Sequence, residues 1–255
     1  MIITNYYKMN LSVLTWNIWF DLRHIVERTK HIVKMLKSHD CDIVCLQEVI
    51  LPTLNLLLFD VGLQEKYDFF YDTSLVSIGG KYGEVTLIKK SLHFDCSFES
   101  KSFPQTCMGR RINTLHVGTL DLDIINVHLE SVFRKNSRPK HDQLKYLSEN
   151  VEKNSKNAII CGDMNLDKDD DKLWADKIIH DCGITDSCPP NRKMICTYDS
   201  NSNTNAYIFN SRLDRIFYKG GLTSNSYELI GTRVIENVGI HPSDHFGIKV
   251  KFSIY

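Results

Sequence analysis

The 255-residue sequence lacks several features that would restrict its class at once. No apolar run approaches the roughly 18 residues that span a bilayer, and the N-terminus, MIITNYYKMNLS, has no apolar signal core. The 31 basic residues balance the 31 acidic ones, so no overall positive charge favours nucleic acid, and binding to it would need a local patch. Repeats and long linkers are also missing. We therefore expect a single domain over residues 1–255 that does not enter a membrane.

Cysteine, in contrast, is present at eight positions, and no pair has the spacing of a zinc site. Cys41, Cys45 and Cys161 lie inside apolar runs, where free thiols behave as small hydrophobic side chains. This usage favours a reduced compartment. We expect an intracellular protein of the nucleus or the cytoplasm.

Short apolar strands alternate with helical patterns along the chain. Residues 25–36 place Ile25, Ile32, Val33 and Leu36 on one helical face, and residues 141–154 form a second amphipathic helix. Residues 111–131 are typical of two strands joined by a tight turn at 118–121. Further strands are predicted at residues 11–18, 42–49, 83–90, 157–165, 212–218 and 245–254. Strands with helices between them indicate an α/β sandwich with mixed sheets.

Polar side chains follow several of these strands at the point where each strand ends. They are Asn17, Glu48, His128, Glu130, Asp163 and Asn165, with Asp214 and the pair Asp244 and His245 near the C-terminus. Each has an ordinary explanation when taken alone, such as a turn, a cap, a core histidine or an ion pair. Six such coincidences would be needed to explain the set. Because buried polar groups are costly singly, we expect them to converge.

The chemistry of this set suits phosphate-ester hydrolysis. Glu48, with Asn17 or Asp244, offers the hard oxygen ligands that Mg²⁺ prefers. Asp163 is placed to take a proton from water that Asn165 orients. Two histidines beside a metal would stabilise a phosphoryl oxyanion. The residues alone leave a phosphodiester and a phosphomonoester open as substrates.

The motifs TWN, LQE, HLES, GDMN and SDH, in that order across the chain, resemble the endonuclease/exonuclease/phosphatase superfamily of Mg²⁺-dependent phosphoesterases. The resemblance implies an α/β fold of the DNase I-like type, a four-layer sandwich in which two mixed β-sheets are flanked by helices. Finer matches at KYGEVTLIKKS, MGR, TYDSNSN, SRLDRIFY and HPSDHFG are similar to the branch that releases tyrosine from the 5′-phosphate of DNA. Compared with proteins of that branch, the chain looks like the catalytic domain alone.

This resemblance implies a role for each matching residue. Glu48 would be the principal Mg²⁺ ligand, with Asn17 and Asp244 near the metal and Mn²⁺ able to substitute. Asp163 and Asn165 would activate water, and Asp214 would orient His245. The residues implied to contact substrate are His128 and His245 at the phosphate, and Asn17, Tyr82, Arg110, Ser131, Tyr198 and Leu213 around it and the DNA end.

The expected reaction is therefore hydrolysis of a 5′-phosphotyrosyl bond between a protein tyrosine and a DNA end, leaving a 5′-phosphate, as a step of DNA repair. The expected partners are 5′ ends that carry tyrosyl or peptide adducts, with RNA as an alternative, and the protein is expected to be a monomer. Two alternatives stay open: another hydrolase of the superfamily (an abasic-site or general nuclease, or a lipid or nucleotide phosphatase), and a catalytically silent module that binds nucleic-acid ends.

The chain also departs from the pattern that the resemblance implies. An acidic residue that supports the metal is replaced by Trp19, and Asp21 compensates only if the backbone shifts. Asp167 stands where an arginine often grips the DNA backbone, and three more acids follow within residues 168–171. Lys135, Arg138 and Lys140 are candidates to restore positive charge. Residues 194–209, MICTYDSNSNTNAYIF, are predicted to be an irregular polar loop that faces substrate through Tyr198.

Overall fold

Two six-stranded β-sheets lie face to face in the computed structural model, which describes residues 8–76, 82–131, 138–192 and 195–255. The first sheet contains β1 Met9–Asn17, β2 Ile43–Val49, β3 Tyr67–Tyr71, β4 Gly83–Lys89, β13 Leu222–Ile230 and β14 Gly247–Ile254. The second contains β5 Cys96–Ser102, β6 Arg111–Val117, β7 Leu122–His128, β8 Asn157–Asp163, β9 Thr185–Asp186 and β12 Asp214–Lys219. A short separate pair joins β10 Tyr198–Asp199 to β11 Asn210–Ser211.

Both sheets are mixed. The first has the order β13-β14-β1-β2-β4-β3, and the second has the order β5-β6-β7-β8-β12-β9. Within each, one central pair is parallel, β1 with β2 and β7 with β8, and the other neighbours are antiparallel. Because the parallel strands end on the same side, their carboxyl ends bring the predicted polar side chains to one edge of the sandwich.

Helices cover the outer faces of the sheets. They are α1 Ile25–His39, α2 Leu51–Leu58, α3 Val61–Lys66, α4 Arg138–Asn154, α5 Lys168–Asp170 and α6 Asp176–Asp181. A π-helical turn, Asp171–Ala175, connects the last two helices. Among the described residues, none of the helices is long and apolar enough to cross a bilayer.

Three apolar layers follow from the period-2 alternation of the strands. In β1, Leu11 and Val13 face the second sheet, whereas Leu14 and Trp16 face α1. A third layer packs α4 and α6 on the outer face of the second sheet, through residues such as Leu144. The order helices, sheet, sheet, helices confirms the predicted four-layer α/β sandwich.

A polar bridge crosses the apolar layer between the two sheets. Gln47 of β2 donates to Asn126 Oδ1 of β7 at 2.8 Å, and Asn126 Nδ2 donates to the carbonyl of Val85 at 3.1 Å. Both side chains are fully buried, so each hydrogen bond compensates for lost water contacts. The bridge fixes the sheets against each other beside the strand ends that carry the candidate site.

Gly162 sets the register at the end of β8. Its φ is +148°, and a Cβ atom there would lie 1.8 Å from the carbonyl oxygen of Val127 on β7. No side chain fits in that space. The close approach pairs His128 with Asp163 directly across the parallel strands.

All eight cysteines are free, in agreement with the expectation from the sequence. The helix predicted at residues 141–154 begins earlier, at Arg138, and the strand predicted at 212–218 begins at Asp214. These differences lie at element ends, where side-chain periodicity is a weak guide.

Candidate active site

A cavity of about 480 Å³ opens at the edge where the strands end. Its walls are formed by Trp19, Phe20, Glu48, Tyr82, Met108, Arg110, His128, Ser131, Lys140, Asp163, Asn165, Asp167, Tyr198, Phe209, Leu213, Asp244 and His245. A larger cavity of about 630 Å³ lies between α1 and the segment after β13, but it contains none of the strand-end groups. Chemistry, and not size, therefore identifies the candidate site.

Asp163 lies at the centre of the floor of this cavity. Asn17 Nδ2 donates to Asp163 Oδ2 at 3.0 Å, and the backbone N–H of Asn165 donates to Oδ1 at 2.9 Å. The same Oδ2 is 3.4 Å from His128 Nε2 and 3.8 Å from His245 Nε2. Burial alone would raise the pKa of Asp163, but the two histidines and these donors lower it. The carboxylate is therefore held in its ionised form.

His245 is paired with a second buried carboxylate. Its Nδ1 lies 2.7 Å from Asp214 Oδ2, and Asp214 pairs across the antiparallel strands with Asp163. Burial disfavours the imidazolium, but Asp214, Asp244 and Asp163 together raise the pKa of His245 well above its ordinary value. Asp214 fixes the orientation of this ring, which is the contact that the resemblance implies for the pair, and the charged ring carries a proton on Nε2.

His128 has the opposite character. Burial, and after it the positive charge of Arg110, lowers the pKa of His128 to about 3. No hydrogen-bond partner lies at its Nδ1 within the described part of the chain. The Asp163 carboxylate therefore has a neutral imidazole, His128, on one side and a charged imidazolium, His245, on the other.

Glu48 and Asp244 supply the carboxylates for a cation. Burial, followed by the charge of Asp244, raises the pKa of Glu48 to about 7, and burial raises the pKa of Asp244 to about 6. Within the described ranges, no lysine or arginine pairs with either group within 4.0 Å. Hard oxygen ligands that crowd together without a paired cation fit a divalent ion such as Mg²⁺ or Mn²⁺.

The side chain of Asn17 forms hydrogen bonds through both ends of its amide group, and its place near a metal stays a prediction. It is buried behind Asp163, its oxygen accepts the backbone N–H of Trp19 at 3.0 Å, and its amide donates to Asp163. Its visible contacts therefore orient the central carboxylate. A second group of metal-type donors, Asp163, Asp214 and His245, lies within 4.8 Å. Since His245 and Asp214 already bind each other, that cluster is better explained as a hydrogen-bonded catalytic group.

Aromatic side chains form two walls beside this floor. The Tyr82 wall consists of Phe20 and Tyr82, whose rings stack with centroids 5.1 Å apart and planes 5° apart, and Tyr82 lies 6.0 Å from the His128 ring. The Tyr198 wall consists of Tyr198 and Phe209, stacked at 4.7 Å, and Tyr198 meets His245 edge-on at 5.1 Å. Each histidine thus has its own aromatic neighbour.

Three cavity residues other than glycine have left-handed backbone conformations. The φ angles are +60° at Trp19, +57° at Glu48 and +51° at Asn165. Such conformations are costly for residues with a Cβ and are retained where the surroundings fix them. Here they turn the chain directly after β1, near the end of β2 and after β8, which points Glu48 into the cavity.

The remaining predicted substrate contacts lie in or beside the cavity. Arg110 is buried with its guanidinium carbon 5.4 Å from the centre of the Tyr82 ring. Ser131 and Leu213 line the wall. Glu130, in contrast, accepts hydrogen bonds from Thr106 and from the N–H groups of Cys107 and Met108. It braces the loop that carries Arg110 and does not line the cavity.

Several cavity residues were missed by the sequence reasoning. Phe20 and Phe209 lay in no matching motif, although Phe20 is three residues after Asn17 and Phe209 ends the polar loop. Met108 begins the MGR match but was given no role. Lys140, named from the sequence as a candidate to restore positive charge, is buried and donates to the carbonyl of Asn165 at 2.9 Å. It also pairs with Asp170, which neutralises one acid of the cluster after GDMN.

The departures from the family pattern have structural explanations. Trp19 packs under the guanidinium groups of Arg23 and Arg28, 4.8 and 4.5 Å from its ring. Asp21 pairs with Arg23 at 3.0 Å and is not among the residues that line the cavity, so it does not take over the missing carboxylate. Asp167 accepts the N–H groups of Asp169 and Asp170, which caps the short helix.

The proposed basic replacements contribute little charge to the cavity. Arg138 is exposed and pairs with Asp142, and Lys140 is committed to Asp170. Lys135 lies outside the described residues. Among the described lysine and arginine side chains at the cavity, the buried Arg110 is the one without an acidic partner within 4.0 Å, and the charged ring of His245 lines the same cavity.

The polar loop predicted at residues 194–209 has a defined function in the fold, from residue 195 onward where it is described. Asn203 Nδ2 donates to the carbonyl of Ser243 at 3.0 Å, and Asn205 Nδ2 donates to the carbonyl of His241 at 2.8 Å. Thr204 contacts His241 at 3.0 Å. The loop therefore clamps the turn that carries Asp244 and His245, and it also presents Tyr198 and Phe209 to the cavity.

Comparison with known proteins agrees with this geometry. The model of the Endonuclease/Exonuclease/phosphatase family matches residues 14–245, and the chain belongs to that family. It is a phosphodiesterase of the family, and the relatives that it matches carry the name 5′-tyrosyl-DNA phosphodiesterase. A 5′-tyrosyl-DNA phosphodiesterase of Caenorhabditis briggsae is 26% identical, with 95% of this chain and 69% of the relative covered.

Two further comparisons point to the same branch. A 5′-tyrosyl-DNA phosphodiesterase of Caenorhabditis elegans is 27% identical, with 95% of this chain and 67% of the relative covered. The crystal structure of truncated C. elegans TDP2 superposes with a TM-score of 0.80 at 27% identity and covers 96% of this chain and 98% of that one. The resemblance stated from the motifs is confirmed.

Proposed function

We propose that this protein hydrolyses the 5′-phosphotyrosyl bond between a protein tyrosine and a DNA end, leaves a 5′-phosphate, and requires Mg²⁺, for which Mn²⁺ can substitute. The observation that carries the proposal is the single cavity in which Asp163, two differently charged histidines and two aromatic walls meet. The names of the relatives support tyrosyl-DNA as the substrate. A role in DNA repair follows from this substrate.

The residues assign the proton transfers. Asp163, kept ionised, accepts a proton from the water that attacks phosphorus, while Asn17 and the Asn165 N–H hold the carboxylate in place. His245, charged and oriented by Asp214, donates to a phosphate oxygen. His128 adds a neutral N–H at the same phosphate. A metal held by Glu48 and Asp244 would supply Lewis-acid stabilisation of phosphate charge.

The direct test offers purified protein a single-stranded 5′-tyrosyl oligonucleotide with Mg²⁺ and follows release of the 5′-phosphate product. We expect turnover that is abolished by chelation and restored by Mg²⁺ or Mn²⁺. Glu48→Gln and Asp163→Asn, each prepared in the same way, should lose on the order of 10³-fold in kcat/KM. Equal activity in these variants would reveal a contaminating enzyme.

A substrate panel separates the proposal from its rivals. An abasic-site duplex, an unmodified oligonucleotide, a phosphoinositide and a nucleotide monophosphate should each be poorer substrates than the tyrosyl oligonucleotide, and a 5′-tyrosyl RNA tests the sugar preference. Turnover of another member without tyrosyl cleavage would contradict the proposal. Metal binding without turnover of any member would indicate a silent binding module.

A further inference from the structure

Phe20 is an aromatic residue of the cavity for which no role was predicted. It follows β1 and leaves 45% of its surface exposed, and it belongs to none of the three apolar layers. Its ring is nevertheless ordered by parallel stacking on Tyr82, 5.1 Å away. An exposed ring held flat at the rim of an active-site cavity offers its free face to a ligand.

The backbone of Phe20 is tied to the catalytic floor. Its N–H donates to Glu48 Oε2 at 3.1 Å. The neighbouring Trp19, with φ of +60°, is fixed under Arg23 and Arg28. The ring of Phe20 is therefore positioned relative to Glu48 by a short segment that has little freedom.

The two aromatic walls differ in extent. Phe209 of the Tyr198 wall is 48% exposed, and two exposed apolar side chains precede it in the chain: Tyr207 is 74% exposed and Ile208 is 79% exposed. That wall offers contacts to several successive groups, as a nucleic-acid strand requires. Within the described residues, the Tyr82 wall presents one exposed ring, that of Phe20, so it matches a single aromatic group.

A phosphotyrosyl–DNA bond has aromatic groups on both sides of phosphorus, a nucleobase on one side and a phenol ring on the other. We propose that Phe20 is a specificity-determining residue whose free face packs on the phenol ring of the leaving tyrosine, while the Tyr198 wall holds the nucleotide. This inference rests on the proposed function. Water forms the new P–O bond, its proton passes to Asp163, and the bond to the phenol oxygen breaks.

The test compares two leaving groups on one oligonucleotide. The first substrate carries a 5′-tyrosyl phosphodiester, and the second carries a 5′-(2,2,2-trifluoroethyl) phosphodiester, which has an acidic alcohol as leaving group but no ring. For Phe20→Ala, the ratio of kcat/KM for the tyrosyl substrate to that for the trifluoroethyl substrate should fall about fivefold, the size of one aromatic contact. Phe20→Tyr should keep the wild-type ratio.

Phe209→Ala is the matched control on the other wall. It should lower kcat/KM for both substrates by the same factor, because both carry the same nucleotide strand. An unchanged ratio in Phe20→Ala, including an equal loss on both substrates through disturbance of Glu48, overturns the role of Phe20 and leaves the proposed function intact. A wild-type protein that fails to cleave the tyrosyl substrate overturns both. Because Phe20 is at the surface, thermal unfolding should show that the variant is folded.

Discussion

The two histidines of the site differ although they share one carboxylate. His128 and His245 are both buried, and their Nε2 atoms lie 3.4 and 3.8 Å from Asp163 Oδ2. Burial disfavours the charged form of each. His245 has three carboxylates around it and a raised pKa, whereas Arg110 adds to burial at His128 and lowers its pKa to about 3.

This difference teaches that the neighbours, and not the depth of burial, decide the protonation of each ring. The result is a division of labour around Asp163: a charged donor on the side of β12 and β14, and a neutral ring on the side of β7. An attacking water and a negatively charged phosphate need both an ionised base and a fixed positive group. Asp163 is the ionised base and His245 is the fixed positive group.

Among changes that bear on the difference between the two histidines, the largest expected effect comes from removing the charge beside His245. Asp214→Asn keeps the shape of the pair but removes the carboxylate 2.7 Å from Nδ1, so kcat/KM for the tyrosyl oligonucleotide should fall on the order of 10²-fold or more. Steady-state kinetics would measure the loss. The matched control is Asp123→Asn, since Asp123 Oδ1 also lies 2.8 Å from a histidine, His116, outside the cavity. It should change kcat/KM less than about twofold.

A smaller effect is expected from loosening the turn on which His245 lies. Asn203 is buried and donates to the carbonyl of Ser243 at 3.0 Å. Asn203→Ala leaves this carbonyl only the longer hydrogen bond from Asn205 Nδ2, at 3.4 Å, and should lower the free energy of unfolding by about 1–3 kcal/mol. The turnover number should fall several-fold because Asp244 and His245 lose their support. Urea unfolding and kinetics on the same sample would measure both.

Asn201→Ala provides the comparison within the same loop. Asn201 is exposed, and its hydrogen bond to Asp199 uses only the backbone N–H, which alanine retains. Stability and turnover should therefore stay near wild type. If the two variants behaved alike, the loop would be a passive connector on the His245 side.

The smallest effect concerns the neutral histidine and is seen as a pH dependence of stability. The pKa of His128 is about 3 in the folded protein and about 6.5 in the unfolded chain. Between these two pH values, the unfolded chain binds a proton at His128 and the folded protein does not. This proton uptake therefore makes the free energy of unfolding fall as pH decreases through this range, by about 1.4 kcal/mol per pH unit.

His128→Gln removes this linkage. Between pH 6 and pH 4, urea unfolding of the variant should have a pH slope that is less steep than wild type by about that amount. Above pH 7 the two curves should run parallel, because neither state then takes up this proton. Identical slopes over the acidic range would show that His128 is charged in the folded protein.

Much of this architecture was predictable from local pattern. The buried strands near 42–49 and 83–90 and the hairpin at 111–131 were found because apolar runs and alternation reflect direct packing of each strand. The polar residues at strand ends were found because parallel strands deliver their ends to one edge. These signals depend on neighbours in sequence. The single domain and the individual catalytic roles stay predictions.

Contacts between distant segments were not predictable in the same way. The motif around Asn17 did not reveal that its amide reaches Asp163, 146 residues away, and orients the carboxylate. Phe20 gained its place only through Tyr82, which directly precedes β4 in another part of the chain. Glu130 stood in a catalytic motif yet supports the Arg110 loop. In each case the partner is set by sheet packing that no local pattern encodes.

The sequence by itself determined the set of chemical groups, their order along the chain and their placement at strand ends, since these follow from side-chain identity and local periodicity. Only the tertiary structure decided that one histidine is charged and the other neutral, and that the Tyr82 wall presents a single exposed ring within the part of the chain that the structure describes. The physical reason is that pKa values and stacking depend on burial and on charges through space. Asp214 and Arg110 reach their histidines only once β12, β14, β6 and β7 have packed into the same edge of the sandwich.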